Sequence, residues 1–155
     1  MEIKNQLVVV MDNFINPNTY KDIIIQDGHK FDADIAYKNI YSTANESIVI
    51  VDDYIGPKTL ELLKNLSSNI KITVYSDNKA KNKIDDIILN DYINQTGQSV
   101  TIIPTEKRFH DRYIVIDDKD YYLCGSSSKD SGNKITTIVK LDNNDLSQLI
   151  KKPLP

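Results

Sequence analysis

A single cysteine, Cys124, stands in the 155 residues, so an intramolecular disulfide is impossible and no cysteine-based zinc site can form within one chain. A reducing, cytoplasmic setting is the simplest reading. Long apolar runs are also missing: near the start the longest, Leu7 to Met11, is shorter than a signal-peptide core and far shorter than a membrane span. Neither secretion nor membrane insertion is indicated. Neither sign of charge dominates, the formal net charge being -3, so charge alone favours no partner and a nucleic-acid role would need local basic clustering. Tryptophan is absent, and the wealth of Asn, Lys, Ile and Asp is the mark of a compositional bias that carries no functional weight. No repeat of twenty to fifty residues, low-complexity tract or internal linker breaks the chain, which leaves function to loops at strand ends.

What is present is ordinary globular material: 40% hydrophobic and 26% charged residues, enough for one well-filled core and too little for two. The whole of 1–155 is read as one domain, with 1–19 as an N-terminal extension or strand and a core over 20–151. Residues 7–11 and 22–25 are β-branched runs bounded by turn residues, hence short strands. From Asp34 the apolar positions Ile35, Ala36, Ile40 and Ala44 recur at helical spacing. The run from Ser47 to Val51 is apolar, too short for a helix and closed by Asp52, Asp53 and a Gly56-Pro57 turn, as in a buried parallel strand. Leu60, Leu62, Leu63 and Leu66 supply a second helix, and residues 70–75 alternate as a strand. Ile84, Ile87, Ile88 and Tyr92 mark a third helix that Gly97 ends before a strand at 100–103.

Strand and helix thus alternate, the pattern of an α/β domain with a mixed, mostly parallel sheet flanked by helices on both faces. The alternation then breaks. Tyr113 to Asp117 and Tyr121 to Cys124 read as two strands joined through Asp118, Lys119 and Asp120. A strand from Ile135 to Leu141 follows, and then a short helix capped by Asn143 or Asn144 that ends near Lys151.

The densest polar cluster is Arg108-Phe109-His110-Asp111-Arg112, set just before a buried strand that ends in Asp117. After the hairpin comes Gly125-Ser126-Ser127-Ser128-Lys129, so two loops are held close by adjacent strands. In extended geometry His110 and Arg112 point to one side and Asp111 to the other. That pair suits a phosphate: neutral imidazole can attack phosphorus or carry a proton, and the guanidinium fork offers parallel donors to non-bridging oxygens. The serine-rich turn would add hydroxyls, backbone N–H groups and the Lys129 ammonium to the same anion.

His110-Asp111-Arg112, four residues and Asp117, followed by Gly125-Ser126-Ser127-Ser128, resembles the signature of the phospholipase D superfamily, His-x-Lys, four residues, Asp, then Gly-Ser-x-Asn. More narrowly, residues 109–117 with 125–134 look like the phospholipase-D-like modules of bacterial and phage proteins, and residues 48–56 resemble their first core strand. The resemblance implies a metal-independent, cofactor-free phosphodiesterase, nuclease-like, with His110 as the nucleophile that forms a phosphohistidine. Arg112 and Asp117 fall in the same motif and complete the candidate catalytic set, while Arg108, Ser126, Ser127, Ser128 and Lys129 are candidate phosphate-binding residues. With one motif per chain, the second histidine that such a mechanism requires would come from a homodimer sharing one site.

Arg112 stands where the superfamily usually has lysine and Ser128 where it usually has asparagine, and no glutamate follows Gly125 to orient the imidazole. A second reading therefore stays open, a phospholipase-D-like domain without turnover that binds nucleic acid or dimerises a larger protein, as does a third in which the chain is a fragment of that protein. Elsewhere, Asp52 and Asp53 mimic a strand-end metal or phosphoacceptor pair but are read as helix or turn caps, and His29 as solvated. Lys79, Lys81 and Lys83, with Asn78 and Asn82, form a basic loop that could track a phosphate backbone; Asp85 and Asp86 weaken it.

Overall fold

The computed structural model describes residues 22–141. In chain order it contains β1 (Asp22–Ile25), α1 (Lys30–Ser42), β2 (Ser47–Val51), α2 (Pro57–Glu61), β3 (Lys71–Tyr75), α3 (Asp86–Thr96), β4 (Ser99–Ile103), β5 (Arg112–Ile116), β6 (Asp120–Cys124) and β7 (Thr136–Leu141). The strand expected at 7–11 and the helix expected between 143 and 151 lie outside the described residues. No described helix is long and apolar enough to cross a membrane.

The ten strands and helices form where residue chemistry directs them. Helix α1 buries Ala33, Ala36, Tyr37, Ile40 and Tyr41, positions three and four apart that make one continuous stripe. It begins at Lys30, ahead of the apolar positions from which it was inferred. The α3 helix starts where the Asp85 side chain accepts a hydrogen bond from the Ile88 N–H at 2.8 Å, an N-cap that satisfies one of the free first-turn donors. It stops where Gly97 adopts φ 70°, a left-handed turn that costs glycine little. Its packed face holds Ile88, Leu89, Tyr92 and Ile93, whereas Ile87, expected there, is 72% exposed. The second leucine-rich helix shrinks to one turn opened by Pro57, and turns carry the chain onward from Leu62.

The sheet has seven strands in the order β1-β7-β6-β5-β2-β3-β4. Only β2-β3 and β3-β4 pair in parallel; β5 returns antiparallel to β2, and β6, β7 and β1 extend the antiparallel half. The sheet is mixed, and the expectation of a mostly parallel one is corrected. A short reversal between β5 and β6 imposes antiparallel pairing, and β7 returns beside β6 after the loop 125–135, whereas among adjacent strands β2, β3 and β4 are joined by crossover segments.

One face of the sheet carries the main core. Ile48, Ile50, Ile72, Val74, Ile114, Ile116, Tyr122, Cys124 and Ile138 meet the buried faces of α1 and α2 and the partly buried face of α3 there. Full burial of each large apolar side chain contributes roughly 1.5–3 kcal/mol. On the other face Val51, Val115 and Tyr121 form a second cluster with Val49, Tyr75, Phe109, Tyr113 and Leu141. No described helix contributes to that cluster, so helices on both faces are not seen among the described residues.

Because β5 runs against β2 and β6 against β5, the carboxyl ends of β2 and β6 and the start of β5 share one edge. Asp52, Arg112 and the turn after Cys124 therefore meet there, in the position where open α/β sheets commonly bind ligands.

Candidate active site

Arg112 opens β5 opposite Cys124 of β6. Continuing the β2-β5 register by one residue sets it beside Asp52, and its Nε lies 3.5 Å from Asp52 Oδ1. The guanidinium carbon is 5.9 Å from the centroid of the Tyr54 ring, within cation–π range. Arg112 thus has a carboxylate and an aromatic face as neighbours, and it remains part-exposed.

Asp52 is 4% exposed. Burial pushes its carboxyl above the ordinary aspartate value, against the opposing influence of Ser127, the Tyr54 N–H, Arg112 and Lys129. Its Oδ1 accepts from the Tyr54 N–H at 2.9 Å, fixing the turn that carries Tyr54. The sequence reading gave Asp52 no part at the site. The available signal was a carboxylate closing an apolar strand, but only the antiparallel return of β5 reveals that an arginine faces it.

Behind this pair lies a cavity of about 10 Å³, lined among others by Tyr37, Tyr41, Asp52, Arg112, Cys124 and Ser128. It has room for one water molecule or one ligand oxygen at most. Arg112 Nε, Tyr41 Oη and Ser128 Oγ are buried around it, Nε facing Asp52 at 3.5 Å and the hydroxyls of Tyr41 and Ser128 facing each other. Three polar atoms, from α1, β5 and the turn after β6, thus border one small void. Burial raises the Cys124 thiol to about 12, which keeps it protonated and poorly nucleophilic.

The serine-rich turn is held differently from the way its composition suggests. Ser126 Oγ lies 2.8 Å from Ser131 Oγ and donates to Thr136 Oγ1 at 3.1 Å. Ser127 Oγ donates to the Tyr54 carbonyl at 2.9 Å. Ser131 Oγ in turn reaches Tyr37 Oη at 3.0 Å. The hydroxyls of Ser126 and Ser127 are therefore occupied in pinning the turn to α1, β7 and the loop after β2. Of the three, Ser128 turns its hydroxyl toward the Arg112 cavity, where the Tyr41 hydroxyl is its neighbour. Gly125 is required by the same packing, since a Cβ there would sit 2.8 Å from Thr136 Oγ1 and 3.2 Å from the Thr137 carbonyl.

His110 is exposed and lies in a bend before β5 begins at Arg112. The strict strand alternation that was to place it on the Arg112 side does not extend that far, and its ring makes no hydrogen bond with a described residue. Arg108 is exposed, with its guanidinium carbon 5.4 Å from the Phe109 ring centroid. Lys129 ion-pairs with Asp130 at 2.5 Å, close enough to the site for its charge to act on Asp52.

Asp117 is not brought to this group. It follows the far end of β5, and its carboxylate accepts from the N–H groups of Asn45, Glu46 and Ser47 at 2.7–3.1 Å. Although partial burial works to raise its titration point, these three donors hold it below the ordinary aspartate value. Its place in the motif is structural: Arg112 and Asp117 stand at opposite ends of the five-residue strand β5, and Asp117 fixes the entry to β2. Asp77 does the same beyond β3, where donors from Lys107, Glu106 and Thr105 outweigh burial and lower it. His29 opens α1 with Nδ1 3.0 Å from Asp32 Oδ2. Among the described residues no group of three or more His, Cys, Asp or Glu side chains converges in a way that could hold a metal ion.

No family model matches the chain, and no curated protein matches it. Solved structures do. NucT from Helicobacter pylori superposes with a TM-score of 0.55 at 15% identity, over 85% of this chain and 91% of that one. TrmBL2, an archaeal chromatin protein, matches at 13% identity with a TM-score of 0.49, over 97% of this chain and 57% of that one. The first of these likenesses shows that the chain is an α/β domain with the fold of NucT.

Proposed function

We propose that the chain is a nuclease-like, metal-independent phosphodiesterase of the phospholipase D superfamily that acts through a phosphohistidine at a site shared by two copies. One observation carries the reading: Arg112, set by β5 between Asp52 and Tyr54, lies against the Gly125–Lys129 turn, with exposed His110 two residues upstream. Spacing in the sequence and proximity at the sheet edge thus favour the same pair of loops. The α/β fold shared with NucT from Helicobacter pylori is compatible with it.

In this reading neutral His110 attacks phosphorus, forming a P–N bond as the bond to the leaving oxygen breaks. The leaving oxygen takes a proton from the imidazolium of the partner subunit's His110. Water then attacks the phosphohistidine, yielding its proton to the neutral imidazole that had acted as acid, and His110 departs with the P–N electron pair. Arg112 neutralises the non-bridging oxygens in both steps. Cleavage of bis(p-nitrophenyl) phosphate in EDTA should disappear in His110→Ala, and activity that survives this substitution overturns the assignment.

A second reading, an anion-binding domain without turnover, is favoured by one observation: the hydroxyls of Ser126 and Ser127 and one side of Arg112 are already engaged within the protein. Salt-sensitive nucleic-acid binding that is lost in Arg112→Ala, with no hydrolysis by the unaltered chain, selects it.

A further inference from the structure

The basic loop noted in the sequence does not end as a solvated run. Lys79 and Lys81 form one side of a cleft of about 650 Å³ whose lining also includes Tyr54, Gly56, Lys58 and Lys129. Three separate segments, the start of α2, the loop after β3 and the turn after β6, therefore contribute lysines to one concavity. Four lysines line it against one carboxylate, Asp130, in a chain whose net charge is -3. Lys58 pairs with Asp34 at 2.6 Å, and Lys79 stands 3.9 Å from Asp53. Lys81 is exposed and has no ion-pair partner among the described residues.

The cleft has a constructed floor. A Cβ on Gly56 would sit 3.0 Å from the Asn82 carbonyl and 3.1 Å from Lys129 Cδ, so the missing side chain lets the lysine-bearing segments close on one another. The cleft also adjoins the candidate active site through two residues. Tyr54, 43% exposed, lines the cleft and takes the Arg112 guanidinium near its ring; Lys129 lines it and acts electrostatically on Asp52.

We propose that this cleft binds the backbone of a single-stranded nucleic acid whose adjoining phosphodiester lies at Arg112. The inference rests on the phosphodiesterase reading for the position of Arg112 and deepens it by naming a substrate class. Lysines spaced along a groove beside an exposed aromatic ring are the combination that single strands use, phosphates on ammonium groups and bases on rings. The cleft has the size that accommodates small-molecule ligands, roughly 300–1,000 Å³, which fits a short stretch of one strand and not the breadth of a duplex.

The test is fluorescence anisotropy of the full chain with a labelled oligothymidylate of about a dozen nucleotides, within the usual single-strand site sizes. Lys79→Gln/Lys81→Gln should weaken binding at least tenfold in low salt. If each lysine meets one phosphate, the slope of log K against log salt should shrink by about 1.4, since each single-strand contact contributes about 0.7. Lys79→Arg/Lys81→Arg should restore both. The Gln variant should still cleave bis(p-nitrophenyl) phosphate like the unaltered chain, while His110→Ala should still bind the oligonucleotide. Loss of cleavage thus reports on the active site, and loss of binding on the cleft. Unchanged oligonucleotide binding in the Gln variant overturns the proposal. So does tighter binding of a duplex of equal length, or lysine-dependent binding seen only with vesicles of anionic phospholipid.

Discussion

Arg112 and Asp52 lie on neighbouring antiparallel strands, with Nε 3.5 Å from Oδ1 and the carboxylate almost wholly buried. The same carboxylate that orients the guanidinium also competes with any anionic ligand for it. The buried partner needs a positive charge nearby more than the part-exposed arginine needs a negative one, because an unpaired buried carboxylate bears the larger desolvation cost.

Arg112→Ala therefore has two effects. Phosphodiester cleavage should fall by about 10²–10³ or more, the usual loss when a donor to a developing oxyanion is removed. The variant should also lose stability, since Asp52 is left buried without its cation. Arg112→Lys should recover most of the stability and less of the cleavage, an ammonium being a point charge without the fork. Steady-state rates and urea melts on both variants separate the two.

The serines should divide sharply. Ser127→Ala removes the donor to the part-buried Tyr54 carbonyl, for a loss of about 1–1.5 kcal/mol in urea unfolding. Ser128→Ala removes a hydroxyl whose neighbour is the Tyr41 hydroxyl and should cost about 0.5 kcal/mol, the low end for one hydrogen bond. Its effect should fall on phosphate affinity instead.

Gly125→Ala should destabilise by roughly 1–3 kcal/mol through overpacking against Thr136 and Thr137. Thr136→Ala in the same chain should return part of that loss, because it removes the nearer contact and leaves the backbone one. A double-mutant cycle by thermal melting measures the coupling.

Asp117 gives a pH signature. Its folded-state titration point is depressed below 3.8, so the stability it confers is present in full above about that ordinary value and is lost as pH falls through the lower, folded-state value. Asp117→Asn should thus melt below the unaltered chain at neutral pH, by roughly 1 kcal/mol after allowance for solvent screening. The two melting curves should converge as pH drops below 3.8. Hydrolysis per folded molecule should be unchanged, because Asp117 lies at the opposite end of β5 from Arg112.

Most of the strands were legible in the sequence. Asp22–Ile25 was placed to the residue, and the others within a residue or two, because β-branched runs bounded by turn residues leave little choice. Helix extents were less legible: one turn opened by Pro57 and a leucine-rich stretch of turns bury the same residues as a longer helix would. The handedness of strand pairing was misread because alternation up to β4 says nothing of where β5 inserts. At the site, Arg112 and the neighbouring turn were legible from spacing. The roles of individual oxygens were not: Ser126 and Ser127 bond to groups distant in sequence, and Asp52 acquires its partner only through sheet register.

The sheet order has a consequence for how the chain assembles. Among the described strands the first, β1, pairs with β7, the last. During synthesis β1 must wait for nearly the whole domain to emerge before its amides find acceptors, a long-range closure of the sort that slows folding. Deleting that four-residue strand would uncover β7 as a raw edge and invite chain-to-chain association, so shortened versions of the protein should begin upstream of Asp22.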